Sequence, residues 1–244
     1  MGLDKIESFL GNHIEGFFNR RFASDLEPIE LINGIRKEIG RKYSRKGSEG
    51  VPNEITFSLS PDDYSRLCAR RVQDQLYTEI EKEIISSNTF MDGELSIRFL
   101  SSPELKRGVF SFDFASTKGE NPQQEANTIV LDKTALLDKQ TLHLPVEHKT
   151  VALMVIEGPD REAYLEFGEG KIYIGRRDKN EFILTDSNAS RLHAWVAYER
   201  HRHVLYDARS TNGTFVNDEP VTRYQLNHGD IIKIGANLLK YEVI

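Results

Sequence analysis

A chain of 244 residues with 39% hydrophobic and 29% charged side chains is long enough for two cores and too apolar to be disordered throughout. Its formal charge of −6 argues against indiscriminate binding of nucleic acid by the whole molecule and leaves room only for a local basic patch. A single cysteine, Cys68, excludes an internal disulfide; no Cys/His cluster has metal-ligand spacing, and no apolar run reaches the ~18 residues of a membrane span. The expectation is a cytoplasmic protein without a metal, cofactor or transmembrane segment.

Along the chain, Leu3, Ile6, Leu10, Ile14, Phe17, Phe18 and Phe22 recur every three to four residues and predict an amphipathic helix. No continuous apolar stretch resembles a signal peptide there. A second helix is expected after Pro28, with Leu31, Ile32, Ile35 and Ile39 on its buried face. Its end carries Arg36, Lys37, Arg41, Lys42, Arg45 and Lys46, the densest basic stretch of the chain. Cations there complement a helix C-terminus; the same cluster would suit a surface for RNA or an anionic membrane.

Ile55, Phe57 and Leu59 alternate with polar residues and predict a strand. Ser60, Pro61, Asp62 and Asp63 then read as the start of one long helix, with a hydroxyl cap, proline at the first position and acids against the dipole. Its stripe is Tyr64, Leu67, Cys68, Val72, Leu76, Ile80 and Ile84, so Cys68 reads as core rather than as a nucleophile. Two strands follow, through Leu95, Ile97, Phe99 and through Phe110, Phe112, Phe114. This order predicts an α+β domain over residues 1–115.

Residues 116–149 are polar, hold Pro, Gly and Gln without periodicity, and read as a flexible linker. From 150 to 244 short apolar alternations separated by turn residues run without a helix, which predicts an all-β sandwich. Strands are expected at 152–156, 164–167, 171–174, 182–184, 195–198, 204–206, 231–234 and 239–243.

Four separated signatures lie in this C-terminal unit: YIGRR at 173–177, SRLHA at 190–194, STNGTFVN at 210–217 and LNHGDIIKIG at 226–235. Their order and spacing make the unit resemble the forkhead-associated (FHA) domain. The resemblance implies a twisted β-sandwich whose loops recognise phosphothreonine in a partner protein. The residue chemistry agrees. A phosphate ester carries about −1.5 to −2 charges near neutral pH and three strong acceptor oxygens, so its receptor needs clustered donors and a permanent cation. Arg176 and Ser190 fill those roles, and Arg191 is a second cation. By the resemblance, Asn212 would hold the peptide main chain and Thr211 would be an auxiliary contact. Gly175 and Gly213 are read as bends, and His193 and Asn217 as structural supports.

Ser190 with His193 also suggests a hydrolase. That reading lacks a nucleophile-elbow motif and an evident oxyanion hole, and the chain has no phosphate-cradling G-x-x-x-x-G-K-[ST], no H-E-x-x-H and no kinase catalytic loop. A non-enzyme is expected. Two residues depart from the common FHA pattern: Arg209 stands where a small residue is frequent, and Leu192 where a polar one is.

The stretches FASDLEPIELINGIRKEI at 22–39 and VPNEITFSLSPDDYSRL at 51–67 resemble the N-terminal domain of FhaA-like bacterial proteins. The resemblance implies an adaptor in bacterial Ser/Thr kinase signalling linked to the cell envelope or division, whose partner is such a kinase or its membrane-associated substrate. Thr117, Thr128, Thr134 and Thr141 of the linker are candidate phosphorylation sites that could engage the FHA loops in cis or trans.

Overall fold

The computed structural model describes residues 16–19, 25–43, 50–116 and 149–244, with the backbone alone at 16–19. The linker threonines and most of the expected opening helix lie outside them. The described part of that helix is a strand instead, β1 (Gly16–Asn19), paired antiparallel with β4 (Val109–Ala115). Helical and extended periods are hard to separate over so few apolar residues. Gly16 followed by two phenylalanines favours the extended form once β4 offers an edge.

Helix α1 (Pro28–Lys42) buries Leu31, Ile32, Ile35 and Ile39 as expected, and the Glu30 carboxylate accepts from the Glu27 N–H at 2.9 Å at its start. Of its basic residues, Arg45 and Lys46 lie outside the described residues, and three of the others make the following contacts. Arg36 pairs with Glu79 at 2.8 Å and Glu83 at 3.2 Å, Arg41 pairs with Glu38, and Lys42 lies over the Tyr43 ring. Arg36 and Arg41 thus face carboxylates within this domain.

Strand β2 (Glu54–Leu59) leads to Ser60, whose hydroxyl accepts from the Asp63 N–H at 3.2 Å. The expected single long helix is two: α2 (Pro61–Leu67) and α3 (Arg70–Ser86). The chain turns extended at Ala69, and the Gln73 side chain caps the freed Cys68 carbonyl at 3.2 Å. No glycine or proline marks the break. Tertiary anchoring sets it: buried Asp63 accepts from the Gly108 N–H at 2.8 Å, and Arg66 donates to the Leu26 carbonyl at 2.8 Å. Cys68 is half-buried at this junction. Strand β3 (Ser96–Ser101) runs parallel to β2, and the sheet order is β1-β4-β2-β3. Helix residues Leu31, Ile35, Leu76 and Ile80 pack with Ile55, Phe57 and Phe112 of the sheet, giving an α+β unit with its own core.

The C-terminal unit is a β-sandwich. One sheet holds β5 (Val151–Glu157), β6 (Tyr164–Phe167), β11 (Thr214–Val216), β12 (Glu219–Val221), β14 (Ile231–Ile234) and β15 (Asn237–Val243), in the order β12-β11-β14-β15-β5-β6. The other holds β7 (Ile172–Gly175), β8 (Phe182–Ile183), β9 (Ala194–Glu199), β10 (Arg202–Asp207) and β13 (Arg223–Gln225), in the order β13-β10-β9-β7-β8. Leu153, Ile174, Val196, Leu205, Ile232 and Leu239 form one core between them. Strands β11, β12 and β13 are additional to the expected ones. Each has three residues, too few to show a period, and Pro220 fits β12 because that strand is an edge. Among the described residues no helix is long and apolar enough to cross a membrane.

A histidine crosses this core. His203 is fully buried, donates from Nε2 to the Gly168 carbonyl and accepts at Nδ1 from the Tyr241 hydroxyl, both at 2.8 Å. Burial therefore pushes its pKa from 6.5 down to about 4. The unfolded chain binds this proton more readily than the folded one, so the contribution is fully present above about pH 6.5 and lost as pH falls toward about 4. A thermal-unfolding series over that window is expected to show a falling midpoint, and His203→Gln should flatten the decline. An equal slope in the variant would remove the assignment.

Candidate functional site

Three loops meet at one end of the sandwich: the segment after β7, the segment before β9 and the segment between β10 and β11. Backbone pairing joins the first two. Arg176 and Arg177 donate to the carbonyls of Ser190 and Arg191, each at 2.9 Å, and the His193 N–H donates to the Ile174 carbonyl at 2.8 Å. This close approach needs Gly175, which sits at φ +149°; a Cβ there would lie 2.7 to 2.9 Å from the Ser190 carbonyl, the His193 nitrogen and the Arg191 carbonyl. Asn180 ties the same loops by donating to the Arg191 carbonyl at 2.9 Å.

His193 supplies the second brace and is fully buried. Its Nδ1 accepts from the Ser190 N–H at 3.0 Å while Nε2 donates to the Gly213 carbonyl at 3.1 Å, which fixes one neutral tautomer. Burial lowers its pKa, outweighing the Gly213 carbonyl and the Asp207 charge. The ring contacts the main chain of Ser190 and not its hydroxyl. Asp207 is likewise occupied: it accepts from the Ser210 N–H at 3.0 Å, from the Ser210 hydroxyl and from the Thr214 hydroxyl at 2.7 Å. The serine–histidine pair is thus a loop brace, with neither ring nor acid placed to activate a nucleophile.

The braced loops enclose an open depression of about 500 Å³. Arg176, Ser190, Arg191, Thr211 and Asn212 all line it. Ser190 Oγ accepts from the Thr211 N–H at 3.1 Å and reaches Thr211 Oγ1 at 3.4 Å, a long contact that leaves its proton easy to redirect. Asn212 donates from Nδ2 to the Asn188 carbonyl at 2.8 Å, which fixes the amide plane and leaves its oxygen facing solvent contacts. Gly213, at φ +79°, turns its carbonyl to His193 without lining the depression. Asn217 lies outside the cup. It occupies the β11–β12 turn, donating to Asp230 at 2.8 Å and accepting from the Ile231 N–H at 3.0 Å. Of the two departures from pattern, Leu192 lines the depression, whereas Arg209 does not; Arg209 has φ +56°.

Four lining residues go beyond those named from the sequence: Arg177, Ser187, Asn188 and Ala189. Arg177 follows Arg176 directly, so its signal is present in the doublet. Asn188 sits in the turn held by Asp186, which accepts from the Asn188 N–H at 2.9 Å and its amide at 3.0 Å. The cup therefore carries three arginines, Arg176, Arg177 and Arg191, all exposed, and no carboxylate lines it. None of the three forms an ion pair among the described residues.

Residues 172–235 match the family model of the FHA domain, and residues 3–113 match that of the FhaA N-terminal domain. The chain carries an FhaA N-terminal domain followed by an FHA domain. The FHA domain-containing protein FhaA of Mycobacterium tuberculosis is 38% identical over 86 residues, 35% of this chain and 16% of that protein. The glycogen accumulation regulator GarA of the same species is 34% identical over 85 residues, 34% of this chain and 52% of the relative. The chain thus spans about half or less of these two relatives. Among solved structures, the FhaA FHA domain complexed with the intracellular domain of Rv3910 is 34% identical, with 38% of this chain covering 100% of that one at a TM-score of 0.35.

Proposed function

We propose that this protein is a non-catalytic adaptor that captures phosphothreonine-containing proteins in the cup of its FHA domain. The observation that carries the reading is the convergence of Arg176, Arg177 and Arg191 with the Ser190 hydroxyl on one depression lined by no acid. An ester of about two negative charges neutralises those cations and uses their donor forks, whereas a bare hydroxyl leaves them repelling one another. Asn212 and Thr211 at the rim suit an extended peptide main chain. In this reading residues 150–244 are the binding module, residues 1–115 a second domain, and residues 116–149 connect the two.

We read the adaptor as acting within bacterial Ser/Thr kinase signalling, with a kinase or its membrane-associated substrate as the phosphorylated partner and the cell envelope or division as the setting, a reading to which the match with the FhaA N-terminal domain lends support. Titration of the full chain with a degenerate phosphothreonine peptide library and its unmodified counterpart tests the core of the proposal. Three or four charge-assisted hydrogen bonds, less association costs, correspond to a Kd on the order of micromolar. The unmodified library should bind at least about a hundredfold more weakly, the equivalent of two charged contacts. Equal binding of the two libraries would overturn the proposal.

A further inference from the structure

The β9–β10 hairpin starts at the cup and ends in a turn about 20 Å away, given six residues of strand at ~3.3 Å each. At that far turn the sandwich meets the N-terminal domain. Arg202 is 1% exposed, yet no carboxylate pairs with it among the described residues. Its guanidinium donates to the Thr89 carbonyl at 2.9 Å, the Leu226 carbonyl at 2.8 Å and the Asn227 side-chain oxygen at 2.8 Å, with the Ile84 carbonyl at 3.5 Å. Two of these four oxygens belong to the end of α3 and the residues just beyond it. That helix has no basic residue in its last turn. The negative end of its dipole, including the Ile84 carbonyl that also accepts from the Thr89 N–H at 3.2 Å, is met by a cation from the other domain.

Further observations lie at the same place. Ile85, also 1% exposed, packs in the core cluster of the sandwich rather than in that of its own domain. The turn residues Arg200 and His201 hold φ of +52° and +57°, positions that a two-residue hairpin normally gives to Asn or Gly. Both side chains reach across. Arg200 pairs with Asp92, Nη2 to Oδ2 at 2.7 Å, and stacks over the Phe90 ring at 3.8 Å, while its carbonyl accepts from the Met91 N–H at 3.2 Å. His201 donates to the Gly93 carbonyl at 2.8 Å, and Tyr198 donates to buried Glu81 at 3.0 Å.

We propose that the FHA domain docks on the FhaA N-terminal domain as one rigid body through the β9–β10 turn and the C-terminal end of α3. Arg202 is the docking residue, and the cup is left free at the opposite end. The strained turn is retained because Arg200 and His201 serve the contact better than Asn-Gly would. Docked in this way, the N-terminal domain fixes the direction in which the cup presents a captured partner. This inference stands apart from the identity of the cup's ligand.

Backbone 15N relaxation of the full chain tests it. The two halves should share one rotational correlation time in the wild type. In Ile85→Ser, which leaves the FHA sequence untouched, and in Arg202→Ala, the halves should separate, with the time of residues 150–244 falling to about half, in line with the smaller tumbling body. Retained dispersion of the sandwich amide resonances would show that the FHA domain is still folded in each variant. Separate correlation times in the wild type would overturn the proposal, as would a shared time retained in both variants.

Discussion

Gly175→Ala is expected to destabilise the FHA domain by about 3 kcal/mol and to abolish the cup even where the sandwich survives. Two costs combine. Alanine at φ +149° is in a region that L-residues avoid, a strain of about 1 to 3 kcal/mol. Its Cβ would also lie within 3 Å of three backbone atoms, at the Ser190 carbonyl, the His193 nitrogen and the Arg191 carbonyl. None of these is a flexible side-chain end that can swing aside, so relief requires moving the two loops apart, a repacking cost of about 1 to 3 kcal/mol. That movement breaks the pairing of Arg176 and Arg177 with Ser190 and Arg191. Denaturant unfolding of the variant, with peptide titration below its transition, separates the two effects. A Gly175→Ala protein of wild-type stability and affinity would show that the loops tolerate separation.

The sandwich is legible where strands are long enough to alternate and turns carry their own chemistry, as at Trp195 to Tyr198 or around Asn212 and Gly213. It is illegible at β11, β12 and β13, where three residues leave pairing partners to decide the conformation. The N-terminal domain shows the same division. The buried face of α1 follows from its spacing, whereas the strand at Gly16–Asn19 and the break after Leu67 are set by groups far along the chain, the edge of β4 and the Gly108 N–H. For the cup, Arg176, Ser190, Arg191, Thr211 and Asn212 could be named from their motifs. The tautomer of His193 and the bridge from Asn212 to Asn188 exist only once separate loops are brought together, and the occupied state of Asp207 only once its own loop closes on Ser210 and Thr214. The docking contact at Arg202 has no sequence signal beyond a hairpin turn spelled Arg-His where Asn-Gly would be easier.

Arg176→Ala is expected to weaken phosphothreonine-peptide binding by about tenfold to a hundredfold, the loss of one charge-assisted contact worth about 1.5 to 3 kcal/mol. The domain's stability should stay within about 0.5 kcal/mol of wild type, because the side chain is exposed and makes no ion pair among the described residues, while the backbone N–H that holds Ser190 survives the substitution. Ser190→Ala differs in kind: it removes a donor to the phosphate and also the acceptor of the Thr211 N–H, so part of its effect is a looser Thr211 loop. The two variants can therefore be told apart by salt. The arginine contribution is an attraction between charges at a solvent-open depression and shrinks as ionic strength rises from about 0.05 to 0.5 M, where the screening length falls below about 5 Å. The affinity gap between wild type and Arg176→Ala should narrow over that range, and the gap for Ser190→Ala should hold. Binding should also strengthen as pH rises from about 5.5 to 7.5, since the phosphate sheds its second proton near pH 6. His193 does not oppose this trend, because burial keeps its pKa below the ordinary value and its neutral form is the one that braces the loop. An Arg176→Ala protein with unchanged affinity at low salt would remove this residue from the cup's binding chemistry.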